Sequence, residues 1–205
     1  MVFLAFAAPA FAAEAVNGER VQAPLYTSGA WTYHAEHQTY SGLWKTDLLT
    51  GDWQVSLQNG SAKIARLDGR RLSENNEFCP IDVVLPTAEV NSAPPKYFNF
   101  PLWVGKDWRG SELLRHRWRS TRSTVTGAES VVTPAGTFNA YRIDRTAWMF
   151  VGTANYYVTQ SYFYSPQTRS MVKYQCREEY KDLVGDPRYG LLEEATIELI
   201  NFKAE

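Results

Sequence analysis

The chain has 205 residues, a formal net charge of −1 and an aromatic content of 14%, from 7 Trp, 12 Tyr and 10 Phe. That length accommodates one sizeable domain with a true hydrophobic core. The near-neutral charge excludes a global field that would draw the protein to nucleic acid or to acidic lipid.

Met1 to Ala13 reads MVFLAFAAPAFAA, an apolar run that ends in Ala10-Phe11-Ala12, a small-residue cleavage pattern. The run is too short to span a bilayer. No Cys follows it to carry a lipid, and no Lys or Arg precedes it, which reads as a misplaced or trimmed start. Residues 1–15 are expected to be a cleaved signal peptide and 16–205 a single β-rich domain of the bacterial periplasm.

Val16 to Ser28 lacks periodicity and reads as a lead-in loop. Ala30 to Tyr40 alternates, with Trp31, Tyr33 and Ala35 on one strand face and Thr32, His34 and Glu36 on the other. Trp53 to Gln58 and Ala62 to Leu67 flank Asn59-Gly60, a strong hairpin signal because both residues tolerate positive φ. Phe78 to Leu85 is apolar and β-branched, and Thr87 to Pro95 reads as a loop or hinge. Phe98 to Gly105 is apolar but broken by Pro101, a short edge strand or a lip. Strands are expected over Leu113 to Arg122, Val125 to Thr133, Thr137 to Trp148, Tyr156 to Tyr164, Ser170 to Tyr180 and Ala195 to Lys203. Helix signals are few, at Thr46 to Leu49 and Asp186 to Glu193.

Turn chemistry punctuates the second half. In Thr133-Pro134-Ala135-Gly136, Pro134 presets φ and Gly136 supplies the positive φ of a type II turn. At Tyr164-Ser165-Pro166-Gln167, Pro166 breaks the ladder because it has no N–H to donate. The fold class is mainly β: a single antiparallel curved sheet or a partly open β-barrel, with few short helices.

Three stretches share a pattern with known proteins. They are Phe100-Pro101-Leu102-x-Val104-Gly105-Lys106-x-Trp108, then Thr133-Pro134-Ala135-Gly136-Thr137-Phe138-x-Ala140-x-x-Ile143, then Tyr164-Ser165-Pro166 with Met171-Val172-Lys173-Tyr174. Over Phe100 to Tyr180 the chain resembles the TapB-like proteins and related secreted bacterial domains. The resemblance implies a β-rich fold whose curved sheet is similar to the lipoprotein-carrier fold. It implies no catalytic residue.

Candidate chemistry is sparse. His34 and Glu36 share a strand face while His37 points away, so this cluster offers two ligands, too few for a structural zinc. These three read as exposed polar strand residues, and no metal or cofactor is expected. No G-x-S-x-G elbow, P-loop or G-x-G-x-x-G occurs. The neighbouring carboxylates Glu178-Glu179 and Glu193-Glu194 point to opposite strand faces and make poor acid–base couples. In Leu113 to Arg122, a single strand would align Arg115, Arg117 and Arg119 as a stripe suited to a phosphate or carboxylate headgroup, or to cross-strand acids. Cys79 and Cys176, the 2 cysteines, are a disulfide candidate in an oxidising compartment, or else small buried apolar residues.

Tyr156 to Tyr164 carries aromatics on both faces, which a strand buried on one side only does not need. The reading is a non-enzymatic periplasmic protein with an aromatic-lined groove for a lipid or other hydrophobic ligand. Its expected lining is Trp103, Trp108, Trp118, Trp148, Tyr162 and Phe163. An accessory or scaffolding subunit of an envelope complex is the alternative, and a hydrolase with an unrecognised site is a third.

Overall fold

A computed structural model describes residues 19–23, 28–41, 44–58, 61–67, 97–114, 117–151, 154–182 and 190–204. Among these described residues, nine strands make one antiparallel sheet: β1 (Ser28–Ser41), β2 (Trp44–Gln58), β3 (Ser61–Arg66), β4 (Asp107–Leu114), β5 (Arg117–Thr133), β6 (Gly136–Val151), β7 (Ala154–Ser165), β8 (Ser170–Asp182) and β9 (Gly190–Ala204). Their order is β3-β2-β1-β9-β8-β7-β6-β5-β4. Two meanders therefore join where the first strand pairs with the last. Among the described residues, the edge strands β3 and β4 do not pair with each other, so this sheet is not closed into a barrel.

The sheet is strongly rolled. Strands lie about 4.8 Å apart, which puts β6 and β9, three strands apart, roughly 14 Å from each other in a flat sheet. Yet the rings of Phe138 on β6 and Phe202 on β9 sit 5.8 Å apart edge to face. At the tip of the β5–β6 hairpin, Ala135 N donates to Leu199 O of β9 at 3.2 Å. Register shifts interrupt the ladders at Thr32/Tyr33, Val125/Gly127, Phe163/Tyr164 and Glu178/Glu179. Such bulges increase local twist, which a rolled sheet requires.

One face carries the core. Trp31, Tyr33 and Ala35 of β1 are buried there with Trp53, Val55 and Leu57 of β2, Ile143 and Ala147 of β6, Tyr162 of β7, Tyr174 of β8 and Ile197 and Leu199 of β9. The other face is laced by cross-strand pairs such as Lys173 Nζ–Glu198 Oε1 and Arg122 Nε–Asp107 Oδ2, each 2.7 Å. A sheet with one packed and one wet face is what period-2 patterning specifies.

His34 belongs to the wet face, with Nδ1 2.7 Å from Asp52 Oδ1. The bond to Asp52 raises its pKa, outweighing the lowering by burial. A raised folded pKa means that the stability His34 contributes is complete below about pH 6.5 and is lost as pH rises through the folded value. Wild type is expected to lose urea resistance across that window, and His34→Gln to show a flatter profile. Parallel profiles for the two proteins would refute this.

Several expectations need correction. Thr46 to Leu49 is strand, inside β2, because pairing with β1 overrides a weak local helix signal. Of Asp186 to Glu193, the part from Gly190 is strand in β9, and 186–189 lie outside the described residues. Leu113 to Arg122 is a hairpin: Leu114 of β4 pairs with Arg117 of β5, leaving Arg115 and His116 as its connection. Arg-His carries no turn signal, so periodicity alone runs the two strands together. At the β5–β6 turn, Thr133 pairs with Gly136, and the positive φ, 137°, belongs to Gly136 as the first residue of β6. A type II turn would need it at Ala135. The expected signal peptide, the strand at Phe78 to Leu85 and the loop at Thr87 to Pro95 lie outside the described residues.

Candidate functional site

Tyr97 to Leu102 forms no strand, although Leu102 makes an isolated bridge to Val21. It crosses the packed face as a strap. Phe98 and Leu102 are fully buried, and Tyr97 and Phe100 pack partly against the core. The Phe98 ring lies 5.9 Å from Tyr162 and 5.8 Å from Tyr164, and the Phe100 ring 5.3 Å from Tyr164. Tyr97 lies 6.0 Å from Tyr162. These are the tilted and edge-on arrangements that aromatic quadrupoles favour.

Lys106 ties the strap down. Its buried Nζ donates to Asn99 O and, at 2.8 Å, to Pro101 O. The same ammonium lies 4.6 Å from the Trp103 ring and 5.9 Å from the Trp108 ring. Carbonyl dipoles and indole faces together stabilise a cation that has left water.

Towards the other end of the strands the packed face turns polar. The register aligns His37, Ala195, Cys176, Gln160, Arg145 and Ser123 in one row across β1, β9, β8, β7, β6 and β5. Arg145 is 1% exposed and donates to Gln160 Oε1; Gln160 Nε2 donates to the Tyr174 hydroxyl at 2.9 Å. The Tyr97 ring covers the Arg145 guanidinium at 4.8 Å. Burial pushes the Tyr174 and Tyr33 hydroxyls far above the usual phenol range, so both stay neutral. His37 Nε2 lies 2.7 Å from Glu193 Oε2, and both side chains are buried. Among the described residues, His37 Nδ1 and Glu193 Oε1 have no hydrogen-bond partner. Glu178, also buried, stands opposite Glu193 in the register. No three His, Cys, Asp or Glu side chains among the described residues are grouped to hold a metal ion.

The expected lining residues divide between locations. Trp103 and Trp108 border the strap at Lys106, and Tyr162 lies beneath it. Phe163, the next residue, faces the other way, with Arg142 Cζ 5.8 Å from its ring. Trp148 alternates with the buried Ala147 and also falls on the opposite face, half-buried. Trp118, the second residue of β5, stands opposite Leu113. The strap packs over Tyr162, one of the residues expected to line an aromatic groove. Of the expected arginine stripe, Arg115 is outside the described residues, Arg117 begins β5, and Arg119, two residues on, is buried. His37 is buried too, not an exposed strand residue, because it continues the packed face of Trp31, Tyr33 and Ala35. Cys176 is buried in β8, and Cys79 lies outside the described residues.

Sequence reasoning missed Arg145 and Gln160. The signal was present, since Ile143, Arg145 and Ala147 alternate on one face and put a guanidinium where the pattern calls for an apolar residue.

No family model matches the chain, and no curated protein does. The resemblance to the TapB-like proteins therefore rests on its motifs. Two solved structures are similar at 12% identity. One is a protein of Bacteroides fragilis NCTC 9343, described as exported and as having a YMCC-like fold; the match covers 90% of this chain and 99% of that one, with a TM-score of 0.34. The other is described as a lipoprotein, from Parabacteroides distasonis ATCC 8503, covering 90% and 100% with a TM-score of 0.36. Similarity at this level transfers neither fold, location nor role.

Proposed function

We propose that this protein is an exported, non-enzymatic binding protein of the bacterial periplasm, and that its aromatic face takes a lipid or other hydrophobic ligand. One observation carries the reading. The most aromatic part of the packed face is closed by the irregular strap Tyr97 to Leu102, which contributes Tyr97, Phe98 and Phe100 as rings and one isolated bridge, Val21↔Leu102, as ladder. A cover held by side chains with little backbone pairing opens at lower cost than a strand of the sheet. The leader-like N-terminus and the TapB-like motifs support export. In that compartment we also propose a Cys79–Cys176 disulfide, in keeping with Cys176 not being a free thiol.

Native mass spectrometry of protein isolated from its own envelope, with lipid extraction of the same sample, tests both. A discrete adduct released by solvent is the expected result, and intact mass before and after reduction reads the disulfide. A clean apo mass would count against the binding reading, and unchanged mass on reduction against the disulfide.

One observation favours the alternative, an accessory subunit of an envelope complex. Trp44 and Leu48 share a face of β2 and are 79% and 61% exposed. Large exposed apolar side chains placed together suit a protein partner. Crosslinking in cells through a photoreactive residue at 44 distinguishes the two readings: a discrete protein adduct supports the subunit, and none supports the binding protein.

A further inference from the structure

We propose a second binding site, for a neutral saccharide, in a cavity between residues 19–22, the β5–β6 hairpin and the β7–β8 turn. It goes beyond the reading above and does not rest on a ligand beneath the strap. The cavity measures about 420 Å³, within the range of small-molecule sites. Small side chains open it. Ala128 of β5 stands opposite Tyr141 of β6, and Ala140 of β6 opposite Glu129 of β5, so each pair sets a methyl group beside a larger side chain and leaves room. Residues 19–22 form one wall, and Pro166 and Gln167 of the β7–β8 turn form another. Both walls are held in place. Val21 and Leu102 exchange two backbone hydrogen bonds of 2.8 Å, and Arg20 Cζ lies 5.0 Å from the Trp103 ring. In the turn, Gln167 N donates to Ser165 Oγ at 3.3 Å.

The lining decides the class of ligand. It combines the carboxylates Glu19 and Glu129, the amides Gln22, Asn139 and Gln167, and the Tyr141 phenol. Burial first, and then the charge of Glu19, raise the Tyr141 pKa, so its hydroxyl keeps its proton and can both donate and accept. An acyl chain would strip water from these groups and return no hydrogen bond. A free anion would meet two carboxylates against one guanidinium, that of Arg20. An ammonium would suit the carboxylates and leave the amide N–H groups without an acceptor. Sugar hydroxyls donate and accept, so they serve carboxylate, amide and phenol alike, while the C–H face of the sugar packs on Tyr141 and the two alanines. Arg142 Nη1, 4.0 Å from Glu129 Oε1, partly balances that carboxylate. Glu129, Asn139 and Gln167 are exposed, so the cavity is entered from solvent.

The test titrates the full, isotope-labelled chain with cellobiose, maltose and N,N′-diacetylchitobiose, and separately with sodium acetate and ethylammonium chloride. NMR follows the side-chain amide signals of Gln22, Asn139 and Gln167, each assigned by its loss in an alanine variant. At least one disaccharide is expected to shift these signals saturably, with a Kd of about 1 mM or tighter, and neither salt is expected to do so. Asn139→Ala and Gln167→Ala change exposed side chains and leave the core intact; each is expected to weaken binding about five-fold. Saturable shifts with either salt and none with sugar overturn the ligand class. Sugar binding that both variants leave unchanged overturns the cavity as its place. No response to any of the three disaccharides overturns the proposal. None of these outcomes bears on the hydrophobic ligand, which native mass spectrometry tests separately.

Discussion

Trp31→Ala is expected to lower the free energy of unfolding by about 4 kcal/mol, the upper range for a large-to-small change in a core. Trp31 is 0% exposed in the first strand of the sheet. Its indole N–H donates to Thr168 O at 2.9 Å and so ties β1 to the turn between β7 and β8. That turn is itself polar and buried, with Ser165, Thr168 and Ser170 all at 0%. Losing the indole opens a cavity and also leaves a buried carbonyl without its donor. The ring comes up against Gly29, where an added Cβ would lie 2.4 Å from it, so β1 needs a glycine at that point. Trp31→Phe keeps most of the volume and loses the hydrogen bond; its expected cost is about half that of alanine. Urea unfolding followed by circular dichroism measures both. A loss below about 1 kcal/mol for alanine would show that the turn and β1 are held by other contacts.

Lys106→Met is expected to cost about 2–4 kcal/mol and to loosen the strap. Methionine retains the apolar stem and removes the charge. The carbonyls of Asn99 and Pro101 then lose the ammonium that both accept from, and Trp103 and Trp108 lose the cation between them. Chymotrypsin under native conditions reads the local effect, because Tyr97 and Phe98 are cleavable only when the strap leaves the sheet. Faster cleavage there at unchanged global stability would show that Lys106 holds the strap alone. Unchanged cleavage and stability would contradict its role as a tie.

Much of the β architecture was legible in the residues, for local reasons. Alternation in Ala30 to Tyr40 assigned Trp31, Tyr33 and Ala35 to one face, and all three are buried. Asn59-Gly60 marked a tight hairpin, and Gln58 pairs with Ser61. Pro134 and Pro166 marked the ends of β5 and β7. Where a connection lacked turn residues, as at Arg115-His116, pattern reading ran two strands into one, and of the expected arginine stripe only Arg117 and Arg119 share one described strand. The candidate site was less legible. Its aromatics were noticed as a group, yet Tyr162 and Phe163 are neighbours in sequence and face opposite ways, both buried, so composition could not tell which lies beneath the strap. Arg145 went unmarked because a charge inside an alternating run normally belongs to the wet face.

The sequence by itself determined the mainly β character, most of the described strand positions and which residues alternate together, since side-chain period and turn chemistry depend on residues only a few places apart. Tertiary structure alone decided that β1 closes on β9, that bulges roll the sheet until Phe138 meets Phe202, and that Tyr97 to Leu102 lies across the core with Lys106 as its tie. Those contacts join residues far apart in the chain. Their free energy comes from burial that exists only once the sheet has formed, so no local pattern encodes them.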